Sequence, residues 1–492
     1  MSVRIAALWS MGSQYAAFLI QFIVSVLISR FFLDPAEVGL FSIALAAAML
    51  VSILQDFGIT RYVSGQAEMD EETIRACSTI SFIFAWGIAL VVLAAAWPVA
   101  HFYGDPAIGK LMAIIAASYL LVPFATVPVA LLVRDMDYRA LFFVNAGSPL
   151  IGGCFALILA ANGYSASSLA WAMVAQTAAR ALFAHSHRPV RPRWPVSRTE
   201  AKPITGFGQS SMLLAISASI GMRTPDLIVG GIISVEAVGL YSRATALAGQ
   251  LSTLVTGAIN GVFYPAFARM RDSGAELGAP YIRVVSGNTA VQWAAMAGLA
   301  VASEPLVLML YGERWAAAAP LLFWTAIAEM CFVAVPMHVD MPILLGRIKT
   351  LIRYNLFDTA AAVILLVLAA QWGVEWAAMA RLAYGLIWVL IYIRFQQRLV
   401  AFVWRDVISV YLLSAICAAA AVVPMLLAYQ FWRRPVALGV DGLLICTALG
   451  VLCWGAMLYL VRHPARHEIT GMLASLAQLA GFLHTSDRKP SQ

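Results

Sequence analysis

The 492-residue sequence is 62% hydrophobic and only 12% charged, with a formal net charge of +7 and a mean hydropathy of +0.84. A soluble chain carries about 25% charged residues, so this composition excludes a string of soluble domains. The basic excess has no soluble domain to carry it, which excludes a nucleic-acid-binding footprint and redirects attention to where the cations sit along the chain.

Fourteen apolar stretches follow one another, at 5–29, 36–56, 78–98, 111–133, 141–161, 164–184, 207–233, 236–263, 284–310, 317–345, 351–371, 374–393, 406–429 and 438–461. Each is long enough to cross a hydrocarbon core of about 30 Å as a helix. Barrel strands would alternate and stop after about ten residues, so the expected class is all-α integral membrane protein. The first stretch is too long for the apolar core of a signal peptide and is read as a span. The six cysteines, Cys77, Cys154, Cys331, Cys417, Cys446 and Cys453, fall within or beside apolar runs without metal-ligand spacing and read as small apolar residues.

The longest polar connection, 185–206, contains HSHRPVRPRWPVSRTEAK and divides six spans from eight. Its basic, proline-rich composition suits a linker lying on anionic headgroups; the His185/His187 pair has no further ligands beside it and reads as part of that surface. The expected organisation is a lobe over 1–184, the linker, a second lobe over 207–400, two further helices over 401–461 and a tail over 462–492. Within the tail, Ile469, Met472, Leu473, Leu476, Ala480 and Leu483 recur at helical spacing, which predicts an amphipathic surface helix. One side of the membrane then holds 24 Lys and Arg and the other five, Arg30, Lys110, Arg314, Arg433 and Arg434. By the positive-inside rule both termini are cytoplasmic, although Arg433 and Arg434 count against the last hairpin.

The heptapeptide Val38-Gly39-Leu40-Phe41-Ser42-Ile43-Ala44 returns as Val238-Gly239-Leu240-Tyr241-Ser242-Arg243-Ala244. Both copies open a span after a long span and a short loop. An even number of spans lies between them, so the repeats run parallel, as in transporters with two pseudo-symmetric lobes.

The opening segment, with Trp9, Ser29-Arg30, Glu37-Val38-Gly39 and Gln55-Asp56-Phe57-Gly58-Ile59, resembles the polysaccharide transporter family of the MOP superfamily. Val133-Arg134-Asp135-Met136-Asp137-Tyr138-Arg139, Asp226-Leu227-Ile228-Val229-Gly230, Gly239-Leu240-Tyr241 and Phe263-Tyr264-Pro265-Ala266-Phe267-Ala268 are similar to that family's pattern, in order. The resemblance covers about residues 1–400, and the colanic-acid exporter branch is the nearest in pattern. It implies a two-lobed MOP-type flippase fold that carries undecaprenyl-diphosphate-linked oligosaccharide units across the bacterial inner membrane for exopolysaccharide or lipopolysaccharide biosynthesis. Polysaccharide polymerase and chain-length machinery are the implied partners, beside the lipid-linked substrate and membrane lipids.

Ionisable residues inside spans are costly and mark functional candidates. Arg223, Arg243 and Arg381 fall well inside spans seven, eight and twelve. Asp226 follows Arg223 by three residues on the same helix face, and Pro225 between them predicts a kink that frees the carbonyl of Gly221. Two readings stand. Each arginine either neutralises a carboxylate (Asp226, Glu329 or Asp358) and pins helices, or lines a basic cavity for a diphosphate, where its planar fork suits phosphate oxygens. Pro336, His338, Asp340 and Pro342 predict an interrupted helix, with His338 and Asp340 as local caps or proton carriers. No cofactor is called for; a coupling ion, Na+ or H+, would engage Asp226, Asp358 or Glu329.

A cation-coupled drug or metabolite antiporter of the same superfamily is the near rival, but it would favour a prominent acidic site over three buried arginines. A membrane polysaccharide polymerase would need acidic, Arg or His residues on substantial outer loops. The short outer loops offer no paired carboxylates, no Ser/His arrangement and no glycine-rich phosphate loop, so no enzymatic activity is expected.

Overall fold

The computed structural model describes residues 3–52, 59–65, 69–192, 194 and 223–466. The chain there is helical: α1 Val3–Phe31, α2 Pro35–Ser52, α3 Ile59–Gly65, α4 Glu71–Tyr103, α5 Pro106–Leu121, α6 Pro123–Arg134, α7 Tyr138–Phe142, a π-helical turn Phe143–Gly147, α8 Ser148–Ala161, α9 Ser167–His187 and α10 over 223–232. There follow α11 Val235–Asp272, α12 Gly278–Val301, α13 Ser303–Tyr311, α14 Ala318–Ala334, α15 Asp340–Leu344, α16 Ile348–Ala370, α17 Val374–Val400, α18 Trp404–Phe431 and α19 Val440–Leu460. No strand occurs among the described residues.

Among the described residues, eight helices are long and apolar enough to cross a membrane, or ten if two bent pairs each make one span. The pairs are α5 with α6, bent by 47°, and α12 with α13, bent by 71°. The other four expected spans correspond to α9, α10, α11 and the α14–α15 pair. They are helical where described, but α9 and α11 carry Arg180 and Arg243, and α14 has 17 residues. Residues 207–222 of the seventh stretch lie outside the described residues, as do Gln55–Gly58, most of the linker and the amphipathic segment beyond Arg466.

Packing divides the chain into two compact units. Unit 1 comprises Met1–Arg243, Leu310–Ala317 and Asn355–Ala377; unit 2 comprises Ala244–Met309, Ala318–Tyr354 and Ala378–Gln492. This partition by contact differs from the division by chain order at the linker.

In unit 1, α2 starts at a reciprocal cap: the Asp34 N–H donates to Glu37 Oε2 at 3.0 Å and the Glu37 N–H to Asp34 Oδ1 at 2.9 Å. Its small residues Gly39, Ala44 and Ala48 are buried, and Ile43, Val92, Ile108, Met112, Ile115 and Val238 fill the core around them. The second copy of the heptapeptide packs directly on the first. A Cβ on Gly39 would stand 1.9 Å from the Val235 carbonyl oxygen, and one on Gly239 would stand 1.8 Å from that of Pro35. One turn on, the Ser42 hydroxyl donates to Ser242 Oγ at 3.1 Å, and Ser242 donates to the Gly239 carbonyl at 3.1 Å. Residues 200 positions apart thus meet their own equivalents, as a duplicated pair of helix starts packed on each other would.

Unit 2 is organised around α12. Its Tyr281, Asn288, Thr289 and Gln292 are 0–2% exposed, a polar stripe on an otherwise apolar helix. With no water available in a bilayer core, each such group must be satisfied internally. The stripe does this at the expected interruption, where α14 ends at Ala334 and α15 begins at Asp340. Trp293 Nε1 donates to the Met330 carbonyl at 2.8 Å, Asn288 Nδ2 to Val333 at 2.6 Å and the Tyr281 hydroxyl to Pro336 at 3.1 Å. The Tyr411 hydroxyl of α18 takes Ala334 at 2.8 Å, and Gln396 Nε2 of α17 takes Met337 at 3.0 Å. Side chains from three other helices thus donate to five carbonyls at and beside the break, which makes the interruption a built element.

Candidate functional site

The intramembrane charges fall into two settings. In unit 1, Arg223 opens the described part of α10 and Asp226 follows one turn later; both are half-buried. Pro225 lies between them in that first turn, and the Gly221 carbonyl it was expected to free is outside the described residues. Tyr119, hydrogen-bonded to Ser52, lies within electrostatic reach of Arg223. Tyr103 lies within reach of Asp226 and donates its hydroxyl to the Leu227 carbonyl at 2.8 Å. Arg223 and Asp226 lie within electrostatic reach of each other.

Arg243, on α11, occupies the place of Ile43 in the first repeat. Its Nη1 donates to Ser25 Oγ of α1 at 2.5 Å, and its guanidinium lies 6.0 Å from the Trp315 ring centroid. Trp315 is fully buried and donates its indole N–H to the Ser29 carbonyl at 2.9 Å. Tyr311, 4% exposed, completes the surroundings. The guanidinium Nε and the Ser29 hydroxyl are buried without hydrogen-bond partners. The arrangement presents a cation, two hydroxyls and a phenol, and among the described residues it contains no carboxylate. Asp358, also in unit 1, is 6% exposed and accepts from Thr359 Oγ1 at 3.4 Å.

In unit 2 the setting is different. Arg381 of α17 donates to Glu329 Oε1 of α14 at 2.5 Å and stacks over Phe332, 5.0 Å from the ring centroid. Glu329 is 7% exposed, so this is a buried ion pair between helices. Of the two readings open for each arginine, the pin with a carboxylate describes Arg381 in this structure. Asp340 starts α15 half-exposed and caps nothing with its side chain. His338 packs edge-on against Trp388 and Tyr392, with ring centroids 4.7 and 5.4 Å away.

Outside the spans, His463 follows α19 and is fully buried. The Ala465 N–H donates to its Nδ1 at 3.2 Å, which puts the ring proton on Nε2, 3.0 Å from Ser414 Oγ. Ser414 in turn meets Thr289 Oγ1 at 2.9 Å, and Thr289 donates to the Val285 carbonyl. Burial pulls the imidazole pKa down to about 4.

Ser25, Trp315 and Asn145 had no sequence signal. Arg180 did: it sits inside the sixth apolar stretch, yet its nearness to the linker places it in the count of flanking cations.

Comparison with known proteins follows from this architecture. Residues 9–320 match the family described as polysaccharide biosynthesis protein. The chain is 25% identical over 324 residues to the succinoglycan biosynthesis transport protein ExoT of Rhizobium meliloti (strain 1021), a match covering 65% of each chain, just under two thirds of that protein's length. It is 23% identical over 350 residues to the lipopolysaccharide biosynthesis protein WzxC of Escherichia coli (strain K12), covering 69% of each. Among solved structures, the lipid II flippase MurJ in an inward closed conformation superposes with a TM-score of 0.73 at 12% identity, over 94% of this chain and all of that one. An inward-facing multidrug resistance MATE family transporter of the MOP superfamily gives 0.52 at 16% identity, over 82% and 96%. These likenesses give the fold as that of the MOP superfamily, and the chain belongs to the polysaccharide biosynthesis protein family.

Proposed function

We propose that this protein is a flippase that carries undecaprenyl-diphosphate-linked oligosaccharide units across the bacterial inner membrane by alternating access, with both termini cytoplasmic. The observation that carries the reading is Arg243: a permanent cation inside a helical membrane unit, oriented by a serine and a tryptophan, with no carboxylate among its described neighbours. An unpaired arginine at membrane depth costs about 3 kcal/mol or more, so an anionic ligand is its natural complement. A diphosphate offers several oxygens to the fork and to the neighbouring hydroxyls. Arg223 is the second ligand in the same unit. Arg381 contributes only if substrate draws it from Glu329. Asp226, Asp358, Glu329 and Asp340 are the carboxylates available to a coupling Na+ or H+.

Membership of the polysaccharide biosynthesis protein family and the relatives' names support a saccharide cargo, with polymerase and chain-length machinery as downstream partners. An arginine with no carboxylate among its described neighbours, Arg243, disfavours the cationic drugs of an antiporter. The test is reconstitution in liposomes with a lipid-linked oligosaccharide, scoring protection of the glycan from an external glycosidase. Wild type should move the glycan without changing its mass. Arg243→Ala, present at normal levels, should lose transport, and Arg243→Lys should keep part of it. Full transport by Arg243→Ala would sink the assignment, and an elongated or cleaved glycan would point to an enzyme.

A further inference from the structure

Arg180 lies seven residues before the end of α9, about 10 Å inside it at the α-helical rise. It sits on the face of α9 that meets α8. A Cβ built on Gly152 would stand 2.7 Å from Gln176 Cβ, and one on Gly147 would stand 2.9 Å from the Phe183 ring. Arg180 is four residues after Gln176 and three before Phe183, on the same stripe. Gly152 of α8 and Gly147 of the π turn bring the chain close to α9, and between those contacts Arg180 is half-buried.

Its described partner is Asn145, whose Oδ1 receives Nη1 at 3.5 Å, the outer limit of a hydrogen bond. Asn145 is the middle residue of the π-helical turn Phe143–Gly147. The extra residue of such a turn shifts side chains out of the α-helical register, and π turns concentrate at functional sites. With Oδ1 facing Arg180, the amide Nδ2 remains as a further donor.

Among the described residues, no element packed on α9 pairs a carboxylate with Arg180. The helices α5, α6, α7, α8, α9 and the π turn contain no Asp or Glu, and α2 contains one, Glu37. Glu37 is engaged in the α2 cap and accepts from Ser165. The carboxylates just before α7 are also taken: Asp135 pairs with Arg188, and Asp137 accepts from the Ala140 N–H. The other charged groups and histidines on these elements, Lys110, Arg134, Arg139, His185 and His187, are basic, and the remaining titratable groups are the neutral Tyr119, Tyr138 and Cys154. A half-buried arginine with no carboxylate partner among the described residues, beside an amide with a spare donor, is arranged for an anion from outside the protein.

We propose that Arg180 and Asn145 form an anion subsite in unit 1 for the phosphate or diphosphate headgroup of a membrane lipid. The fork would take two phosphate oxygens and Asn145 Nδ2 a third. That the lipid is the translocated one rests on the proposed function; the subsite itself does not.

The test uses the full chain in phosphatidylcholine nanodiscs, with geranylgeranyl diphosphate and phosphatidylglycerol as separate probes, reading probe affinity and the shift of the unfolding midpoint. Arg180→Gln should weaken phosphate binding about tenfold or more, the worth of a charged hydrogen bond. Asn145→Asp supplies the absent carboxylate, so it should raise the midpoint without probe and abolish the probe's further shift. This second variant keeps the proposal falsifiable if Arg180→Gln fails to fold. A response to the diphosphate alone identifies the headgroup of a carrier lipid, and an equal response to phosphatidylglycerol identifies bulk anionic lipid. Unchanged probe affinity in Asn145→Asp overturns the subsite. A protein that binds through Arg180 yet flips no glycan would sink the proposed function and leave the subsite standing.

Discussion

The Arg381–Glu329 pair separates a structural pin from a substrate ligand, because the two roles predict opposite outcomes for one set of variants. In Arg381→Met, Glu329 keeps its 7% exposure and loses the donor 2.5 Å away. Breaking a buried pair from one side costs about 3–5 kcal/mol, since the remaining charge is left desolvated. Glu329→Leu should also destabilise, because Arg381 loses its carboxylate while held over Phe332. In the double variant Arg381→Met/Glu329→Leu neither charge is stranded and the volumes are roughly kept, so stability should return to within about 1 kcal/mol of wild type. The two single losses would then overshoot the double by several kcal/mol, a coupling far outside the additivity of independent sites. Denaturant titration in mixed micelles measures the cycle, and glycan transport in liposomes is scored on the same four proteins. Transport retained by the stable double variant makes Arg381 a pin. Transport lost from it makes Arg381 a group that reaches the substrate. Additive single and double losses would refute the pairing itself.

Other expectations follow from particular contacts. His463 is held neutral with its pKa at about 4, below the ordinary 6.5; a depressed histidine stabilises the fold fully above 6.5 and loses that contribution as pH falls toward 4, at most about 3 kcal/mol. The unfolding midpoint should therefore drop across that window in wild type, and an identical pH slope in His463→Gln would exclude it as the cause. Gly239→Ala should force the α2 and α11 starts apart, slowing oxidative crosslinking of the Ser42→Cys/Ser242→Cys pair; unchanged crosslinking would show that the contact is not held closed in the membrane. Tyr411→Phe leaves the Ala334 carbonyl without its donor and should destabilise by about 1–3 kcal/mol, with a neutral result arguing that water reaches the break. Cysteines replacing Ser197 or Ser486 in a cysteine-free background should resist impermeant thiol reagents in intact cells, and labelling of Ser197→Cys from outside would invert the topology.

Much of this was legible because a bilayer restricts the choices. Apolar windows locate helices at α1, α2, α4, α8 and α16 to α19, and the heptapeptide at 38–44 and 238–244 foretold a duplicated pair of helix starts. The bends were less legible. The stretches 111–133 and 284–310 read as single spans, yet the first breaks before Pro123, whose missing N–H cannot continue the ladder, and the second breaks at Ala302 ahead of Glu304-Pro305. The capped interruption after Ala334 was signalled by Pro336 and Pro342, but its five donors come from residues up to 77 positions away and could not be named in advance.

The arginines mark the firmest boundary of such reading. Hydropathy locates a cation inside a span, and that is a statement about cost. What the cation does depends on whether some distant helix supplies a carboxylate at the same depth, and this is a property of packing. Arg381 meets Glu329 across 52 residues of chain, whereas Arg180 is packed by described helices that contain no acid beyond the occupied Glu37. Two residues with one sequence signature thus have opposite electrostatic situations, one neutralised within the fold and one open to an external anion. Removing the first should cost stability before transport, and removing the second should cost anion binding before stability.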